Sequence, residues 1–359
     1  MKLRSIQLLR AVAIILVVYA HSIDLQMRFS HSFQQDFFYL QNFGAFGVDL
    51  FFVVSGFVIS MAAERYAGPG PGFRFLARRF IRLNPVYYLV SGFVLLMNLW
   101  RPHAITGTAS QTGAIWKTIL LLPFFDKVSW IDPLLYVGWT LAFEWLFYIQ
   151  FFIAILCAPE KKEWLTVTLI TGMVLLGILF KSGDPRWIFL TAPIQLEFLL
   201  GMMIYRLFTL DVRPELAATI SRFCLLTGVG FCVWLIFTGF GNDLEMGVIL
   251  NQPGNFTRII HWATASGLLV AGFTFMEKNH RKIHPPAWLL RCGDASYSIY
   301  LTHTIVFRIA VPVYLRAGFP PAPDGVVFLQ LLAALLVGIG FYQWVEAPLL
   351  HRLRILFRL

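Results

Sequence analysis

Apolar residues recur along this chain in long runs, and polar residues gather in the short segments between the runs. Ten runs approach the roughly 20 residues that an α-helix needs to cross a bilayer. The predicted spans lie at residues 5–23, 43–63, 83–100, 135–157, 163–180, 186–206, 222–240, 257–276, 295–316 and 325–346. The pattern predicts an all-α fold, a polytopic bundle of transmembrane helices. We expect one membrane domain over residues 1–359, with no separate extramembrane domain.

Two shorter features need separate interpretation. The apolar stretch from Ile115 to Phe125 is too short to cross and contains Pro123, so it is expected to be interfacial or re-entrant. The first run, with Lys2 before it, resembles a secretory signal. Because Arg10 abuts the run and no A-x-A site follows, we expect the segment to stay in place as the first span.

Composition agrees with a membrane protein. Of 359 residues, 58% are hydrophobic and 13% are charged, and the mean hydropathy is +0.70. Soluble proteins carry about 25% charged residues. This chain therefore lacks the surface of a secreted enzyme, a DNA-binding module or a disordered scaffold. The four cysteines show no CxxC spacing, so neither a metal site nor a disulfide framework is predicted.

The net charge of +10 indicates how the chain is oriented in the membrane. It arises from 29 Lys and Arg against 19 Asp and Glu. Most of the basic residues fall in segments that a cytoplasmic N-terminus would place inside. The positive-inside rule then predicts that both termini are cytoplasmic. A bilayer partner explains the charge, and no nucleic-acid partner is expected.

Charged and ionisable residues within predicted spans are functional candidates, because burying a charge in hydrocarbon costs about 3 kcal/mol or more. Arg10 and His21 lie in the first span. Eleven residues apart, they share one helix face within about 20° and are separated by roughly 16 Å along the axis. Arg10 would lie at the cytoplasmic end and His21 near the outer end. Taken singly, a snorkelling anchor and an interfacial histidine are the simpler interpretations.

A second candidate cluster is basic. Arg78, Arg79 and Arg82 in the segment RRFIRLNPVYY are spaced to meet on a helix at the cytoplasmic mouth of the third span. Guanidinium groups bind phosphate in a bidentate manner and keep their charge. The competing interpretation is a basic cluster that contacts lipid headgroups.

A third candidate is the segment WTLAFEWLFY, which holds Trp139 and Glu144. We expect Glu144 at a depth similar to His21, where a carboxylate would orient an imidazole and raise its basicity. Glu144 bonded only to Trp or Tyr donors is the structural alternative.

Six residues are weaker candidates for lining a polar cavity, and a structural hydrogen-bonding or packing role competes for each. They are Asp49, Ser55, Trp139, Glu197, Tyr297 and His303. His303 is expected near mid-membrane, and small hydroxyl residues before it commonly join helices.

The motifs GVDLFFVVSGFVIS, RRFIRLNPVYY, WTLAFEWLFY and YSIYLTH, with Arg10 and His21, together resemble the acyltransferase 3 family. The nearest resemblance is to the exopolysaccharide-production acetyltransferases. It covers nearly the whole chain in order. Members are integral membrane enzymes that O-acylate bacterial surface glycans.

The resemblance implies ten spans in the bacterial inner membrane, acetyl-CoA or another acyl-CoA as co-substrate, and no bound cofactor. The acceptor would be a hydroxyl of a glycan or lipid-linked oligosaccharide, and polysaccharide assembly proteins are possible partners. Carried over by position, His21 and Arg10 would be the paired catalytic and donor-site residues, and Arg78, Arg79 and Arg82 would lie near the donor's phosphates. Glu144, selected from its place in the fourth span, would be the second catalytic residue. His21 could act as a general base or as a covalent acyl carrier. A transporter of a lipid-linked sugar and a structural assembly subunit are the alternatives from other classes.

Overall fold

The computed structural model is helical nearly throughout the residues that it describes. These are residues 3–29, 42–64, 66, 69–100, 118, 124–125, 130–131, 134–240, 256–278, 284–317 and 323–357. The α-helices are α1 (Arg4–Phe29), α2 (Phe46–Ala63), α3 (Pro69–Trp100), α4 (Gly138–Cys157), α5 (Lys162–Leu179), α6 (Pro185–Leu190), α7 (Leu196–Thr209), α8 (Pro214–Phe237), α9 (Thr264–Lys278), α10 (Ala287–Asp294), α11 (Ser296–Ala317), α12 (Pro323–Phe341) and α13 (Ala347–Leu356).

Short elements extend several of these helices. The 3₁₀ segments are Asn42–Ala45, Pro159–Lys161 and Pro193–Gln195, and the π-helical segments are Ile259–Ala263 and Tyr342–Glu346. Proline opens α3, α6, α8 and α12, where its fixed φ and missing N–H are tolerated. The strands β1 (Phe124–Phe125) and β2 (Trp130–Ile131) pair antiparallel. The predicted interfacial piece before β1 lies mostly outside the described residues.

The prediction of a polytopic helical bundle is confirmed. Within the described ranges, nine helical stretches are long and apolar enough to span a membrane, and each overlaps a predicted span. The remaining predicted span, 295–316, is the ninth in chain order and corresponds to α11, which is not among these nine stretches. Its 22 residues reach about 33 Å, but its first half carries six hydroxyl residues and His303, which lower its hydropathy.

The third span begins earlier than predicted. The sequence pattern placed it at 83–100, whereas α3 starts at Pro69 and carries the three arginines inside one continuous helix. The arginines do not end the helix, because arginine has a high helix propensity and a long stem that can cover apolar surface.

The described chain forms two compact units. The first comprises residues 1–58, 200–243 and 260–346. In it, α1 packs against α9, α10, α11 and α12, while α8 and α9 form a closely packed pair. α1 is central, and Ala11, Ala13, Ile14 and Val18 are fully buried.

Side-chain contacts show that α1 runs in the same direction as α11. Arg10 contacts Ser296, and the later residue His21 contacts the later residue His303. Two helices that run the same way across a bilayer have an odd number of spans between them, and seven predicted spans lie between the first and the ninth. This agrees with the predicted places of these helices as spans one and nine. The side on which the termini lie stays a prediction.

The second unit comprises residues 59–199, 244–259 and 347–359. Here α4 packs against α3 and α5, and α13 packs against α3. The core is aromatic: Phe147 stacks on Phe198 with ring centroids 4.4 Å apart, and Phe75 lies 5.5 Å from Phe151. Gln150 donates to Gln195 within this core at 3.1 Å.

The close approach of α7 to α2 requires glycine at position 201. A Cβ added there would lie 2.0 Å from the Val53 carbonyl oxygen. We expect Gly201→Ala to destabilise the protein by about 1–3 kcal/mol through overpacking. Gly230→Ala is the matched control, because nothing lies within 4 Å of its added Cβ. The control should be neutral or slightly stabilising. Thermal unfolding in detergent measures both, and equal unfolding temperatures would contradict the contact.

Candidate active site

Two histidines meet inside the first unit. His21 Nδ1 lies 2.9 Å from His303 Nε2, and the two rings are parallel within 1°, with centroids 5.1 Å apart. His303 is fully buried and His21 is partly buried. Since their rings touch, they lie at the same depth. The sequence predicted different depths for the two histidines, with His303 at mid-membrane and His21 near the outer end. That predicted separation was wrong, because the two rings are in contact.

Arg10 faces the same helix as His21. Its Nη2 donates to Ser296 Oγ at 2.8 Å, one residue into α11. The face that the sequence predicted for Arg10 and His21 is therefore the face of α1 that packs on α11. The pair of contacts places a guanidinium near the start of α11 and an imidazole two turns further along.

Other polar contacts hold α1 in place. The Glu277 carboxylate accepts from the backbone N–H groups of Arg4 at 3.0 Å and Ser5 at 2.8 Å, which caps the start of α1. Ser22 Oγ donates to Gln330 Oε1 at 2.6 Å, next to His21 in sequence. These bonds fix both ends of the segment that carries Arg10 and His21.

A second polar cluster lies in the second unit. Tyr148 donates its hydroxyl hydrogen to Glu144, one turn earlier on α4. The Arg79 guanidinium lies over the rings of Phe75 and Tyr148, 5.4 and 5.6 Å from their centroids. Arg82 is near enough to interact electrostatically with Tyr148. Glu144 therefore has the tyrosine partner that its structural interpretation expected.

The third arginine of the basic cluster points to a different neighbour. Arg78 is exposed and donates to the Tyr66 hydroxyl at 3.1 Å. Lys162, at the start of α5, donates to the Tyr66 carbonyl oxygen at 2.7 Å. Tyr66 thus joins two cations, one of which the sequence analysis did not select.

The predicted pairing of His21 with Glu144 joins residues of different units and stays a prediction. Among the weaker candidates, Asp49 and Glu197 are fully buried, in the first turns of α2 and α7. Trp139 and Tyr297 are also buried. Trp139 packs edge-on against Phe143, with centroids 6.2 Å apart. Ser55 is half-buried on α2.

Several residues that hold these sites together were not selected from the sequence. They are Gln7, Ser22, Tyr66, Tyr148, Lys162, Glu277, Asp294 and Gln330. A carboxylate at the end of α9, such as Glu277, gives no local sign that it caps a distant helix. Of the described residues, no group of three or more His, Cys, Asp or Glu side chains is arranged to hold a metal ion.

Comparison with known proteins identifies the family. A family sequence model described as an acyltransferase domain matches residues 3–343. The chain belongs to the acyltransferase 3 family. The match spans both compact units and includes all the candidate residues named above. The protein is thus an acyltransferase, and its apolar helices make it a multi-pass membrane protein.

Two relatives illustrate the range of this family. The chain is 30% identical over 316 residues to the exopolysaccharide production protein ExoZ of Rhizobium meliloti, covering 86% of this chain and 90% of ExoZ. It is 25% identical over 340 residues to the O-acetyltransferase OatA of Staphylococcus aureus, covering 85% of this chain. The matched part is about half of OatA, 52%. No solved structure matches significantly.

Ser298 tests whether the hydroxyl groups of α11 stabilise the acyltransferase fold. Its Oγ donates to the buried Glu346 carboxylate at 2.5 Å. We expect Ser298→Ala to cost about 1–3 kcal/mol, because it removes a donor from a buried charged acceptor. Ser5→Ala is the control: Ser5 is equally buried, and its Oγ has no partner among the described residues. In detergent, the unfolding temperature of the Ser298→Ala variant should fall, and that of the Ser5→Ala variant should not. An equal fall in both variants would contradict a stabilising role for the Ser298 hydroxyl.

Proposed function

We propose that this protein is an integral membrane O-acyltransferase of the bacterial cytoplasmic membrane. It moves an acyl group, in the first instance acetyl, from cytoplasmic acyl-CoA to a hydroxyl of a cell-surface or exported glycan. The observation that carries the proposal is the partly buried contact between His21 and His303 inside an acyltransferase. Imidazole is the side chain best suited to take a proton from a hydroxyl near neutral pH.

The acetyl group and the glycan rest on the relatives. OatA is named as an O-acetyltransferase, and ExoZ is named for exopolysaccharide production. ExoZ is matched over most of its length, so an exported polysaccharide is the favoured acceptor. A lipid-linked oligosaccharide precursor offers the same hydroxyl chemistry.

The donor would be bound through its phosphates by arginines. Arg79 suits this role because its charge is held over two aromatic rings, and its Nε has no hydrogen-bond partner among the described residues. A guanidinium held by its face keeps its N–H edges available for phosphate oxygens. Arg78 and Arg82 on the same helix are the further donor-binding candidates of the second unit. Arg10 on α1 is proposed as a donor-binding residue of the first unit. Acyl-CoA is a co-substrate, and no resident cofactor is proposed.

His21 could serve in either of two ways. As a general base, it takes the proton of the acceptor hydroxyl while the oxygen attacks the thioester carbonyl carbon, and the carbon–sulfur bond breaks to release CoA. As a covalent carrier, it attacks the carbonyl itself and releases CoA, and the acyl group then passes to the hydroxyl. Glu144 is proposed as a second catalytic residue, and its described partner is the Tyr148 hydroxyl.

The test is the O-acetyl content of the host's purified surface polysaccharide, measured by proton NMR. A deletion strain is complemented with wild type, His21→Ala or His261→Ala at matched membrane levels. His261, the control, lies in a separate aromatic cluster 4.2 Å from the ring of Phe240. Wild type and the control should restore the O-acetyl signals, and His21→Ala should not.

Each other result is informative. If wild type restores no acyl signal but changes polymer export, a transporter replaces the enzyme. If His21→Ala restores the signals fully, His21 is not the catalytic histidine.

Arg10 gives a separate prediction about the donor. Arg10→Gln should raise the KM for acetyl-CoA about 10-fold or more, because a hydrogen bond to a charged group contributes about 1.5–3 kcal/mol. Arg213→Gln, which removes an exposed arginine before α8, should leave this KM unchanged. Transfer of labelled acetyl by the purified protein in detergent measures both, and an unchanged KM in Arg10→Gln would remove Arg10 from the donor site.

A further inference from the structure

Three groups in the first unit form a continuous hydrogen-bonded series. The Ile299 carbonyl oxygen lies 3.2 Å from His303 Nδ1, and His303 Nε2 lies 2.9 Å from His21 Nδ1. The series uses both nitrogens of His303 and one nitrogen of His21. The Ile299 carbonyl at one end decides which nitrogen donates and which accepts in each hydrogen bond of the series.

A carbonyl oxygen can only accept a hydrogen bond, so His303 must carry its hydrogen on Nδ1. A neutral His303 then has its lone pair on Nε2 and accepts from His21. His21 must therefore carry its hydrogen on Nδ1, which leaves the lone pair on Nε2. We propose that His303 is a positioning residue that fixes this tautomer and makes Nε2 the reactive atom of His21.

The surroundings hold His303 in the required orientation. The Tyr300 ring lies 6.0 Å from the His303 ring, and the Phe307 ring meets it edge-on at 5.6 Å. His303 is fully buried, and Phe307 is nearly so. The helix itself supplies the Ile299 carbonyl, because residue 299 lies one turn before residue 303. A backbone acceptor cannot titrate, so the direction of the series does not depend on another side chain's charge.

This inference rests on the proposed function, and it applies to both chemical routes. In the base route, the proton of the acceptor hydroxyl moves to Nε2 and later passes to the departing CoA thiolate, while the Nδ1 hydrogen stays bonded to His303. In the covalent route, the Nε2 lone pair forms the bond to the acyl carbon as the carbon–sulfur bond breaks and CoA leaves as the thiolate. The acceptor oxygen then bonds to that carbon as the bond to Nε2 breaks, and the hydroxyl proton passes to the thiolate. Both routes need the lone pair on Nε2, which is why one fixed tautomer serves either.

Two variants separate orientation from simple packing. His303→Leu fills the space without an acceptor and should lower kcat about 100-fold or more, with the KM for acetyl-CoA unchanged. His303→Gln places its side-chain carbonyl near the former Nε2 and should recover at least about 10-fold over His303→Leu. In a His21→Ala background, His303→Leu should have no further effect. Equal losses in the Leu and Gln variants, or additive losses in the double variant, would overturn the proposal.

The tautomer can also be read without any activity. Nitrogen-15 NMR of histidine-labelled protein distinguishes protonated from unprotonated ring nitrogens, and His21→Ala assigns the signals among eight histidines. We expect His21 with hydrogen on Nδ1 in the wild type, and a mixture of tautomers in His303→Leu. Hydrogen on Nε2 in the wild type overturns the inference, even if acetyl transfer is intact. Conversely, the expected tautomer in a protein that transfers no acetyl group overturns the proposed function and leaves the hydrogen-bonded series standing.

Discussion

A polar group placed inside a bilayer is stabilised by a partner within the protein, and four residues of α1 show how much structure follows from this constraint. The helix carries Gln7, Arg10, His21 and Ser22 among apolar residues. Each of the four bonds to α10, α11 or α12. Orienting these side chains toward protein fixes the rotation of α1. The position of His21 is therefore a consequence of how the helix avoids exposing polar atoms to lipid.

The second unit satisfies its charges differently. Arg79 lies over aromatic rings, whereas Arg10 donates to a hydroxyl. Cation–π contact compensates part of the desolvation of a guanidinium without using its N–H groups. A cation held in this way is partly stabilised and still able to bind an anion. That combination suits a site that must bind and release a phosphorylated donor.

Much of this was accessible from the sequence. Hydropathy predicted the helical bundle, and nine of the predicted spans match long apolar helices among the described residues. A run of about 20 apolar residues is long enough to cross the hydrocarbon core as a helix, which is why this pattern is reliable. Helical periodicity placed Arg10 and His21 on one face, and both contact α11. Local rules failed where partners are distant: Glu277 caps α1 from about 270 residues away. The contact of His21 with His303 was missed because depth within a span was judged for each helix separately.

The choice of histidine at position 303 is consistent with the cost of charge in a low-dielectric interior. A carboxylate could also orient His21, but burying its charge costs several kcal/mol unless it is fully bonded. A neutral imidazole supplies the same acceptor without that cost, and the backbone of its own helix sets its tautomer. His303 would thus fix the ring orientation of His21. Because His303 is neutral, it would add little negative potential near an attacking hydroxyl. A neutral imidazole therefore orients His21 for an incoming glycan hydroxyl at a lower desolvation cost than a buried carboxylate would.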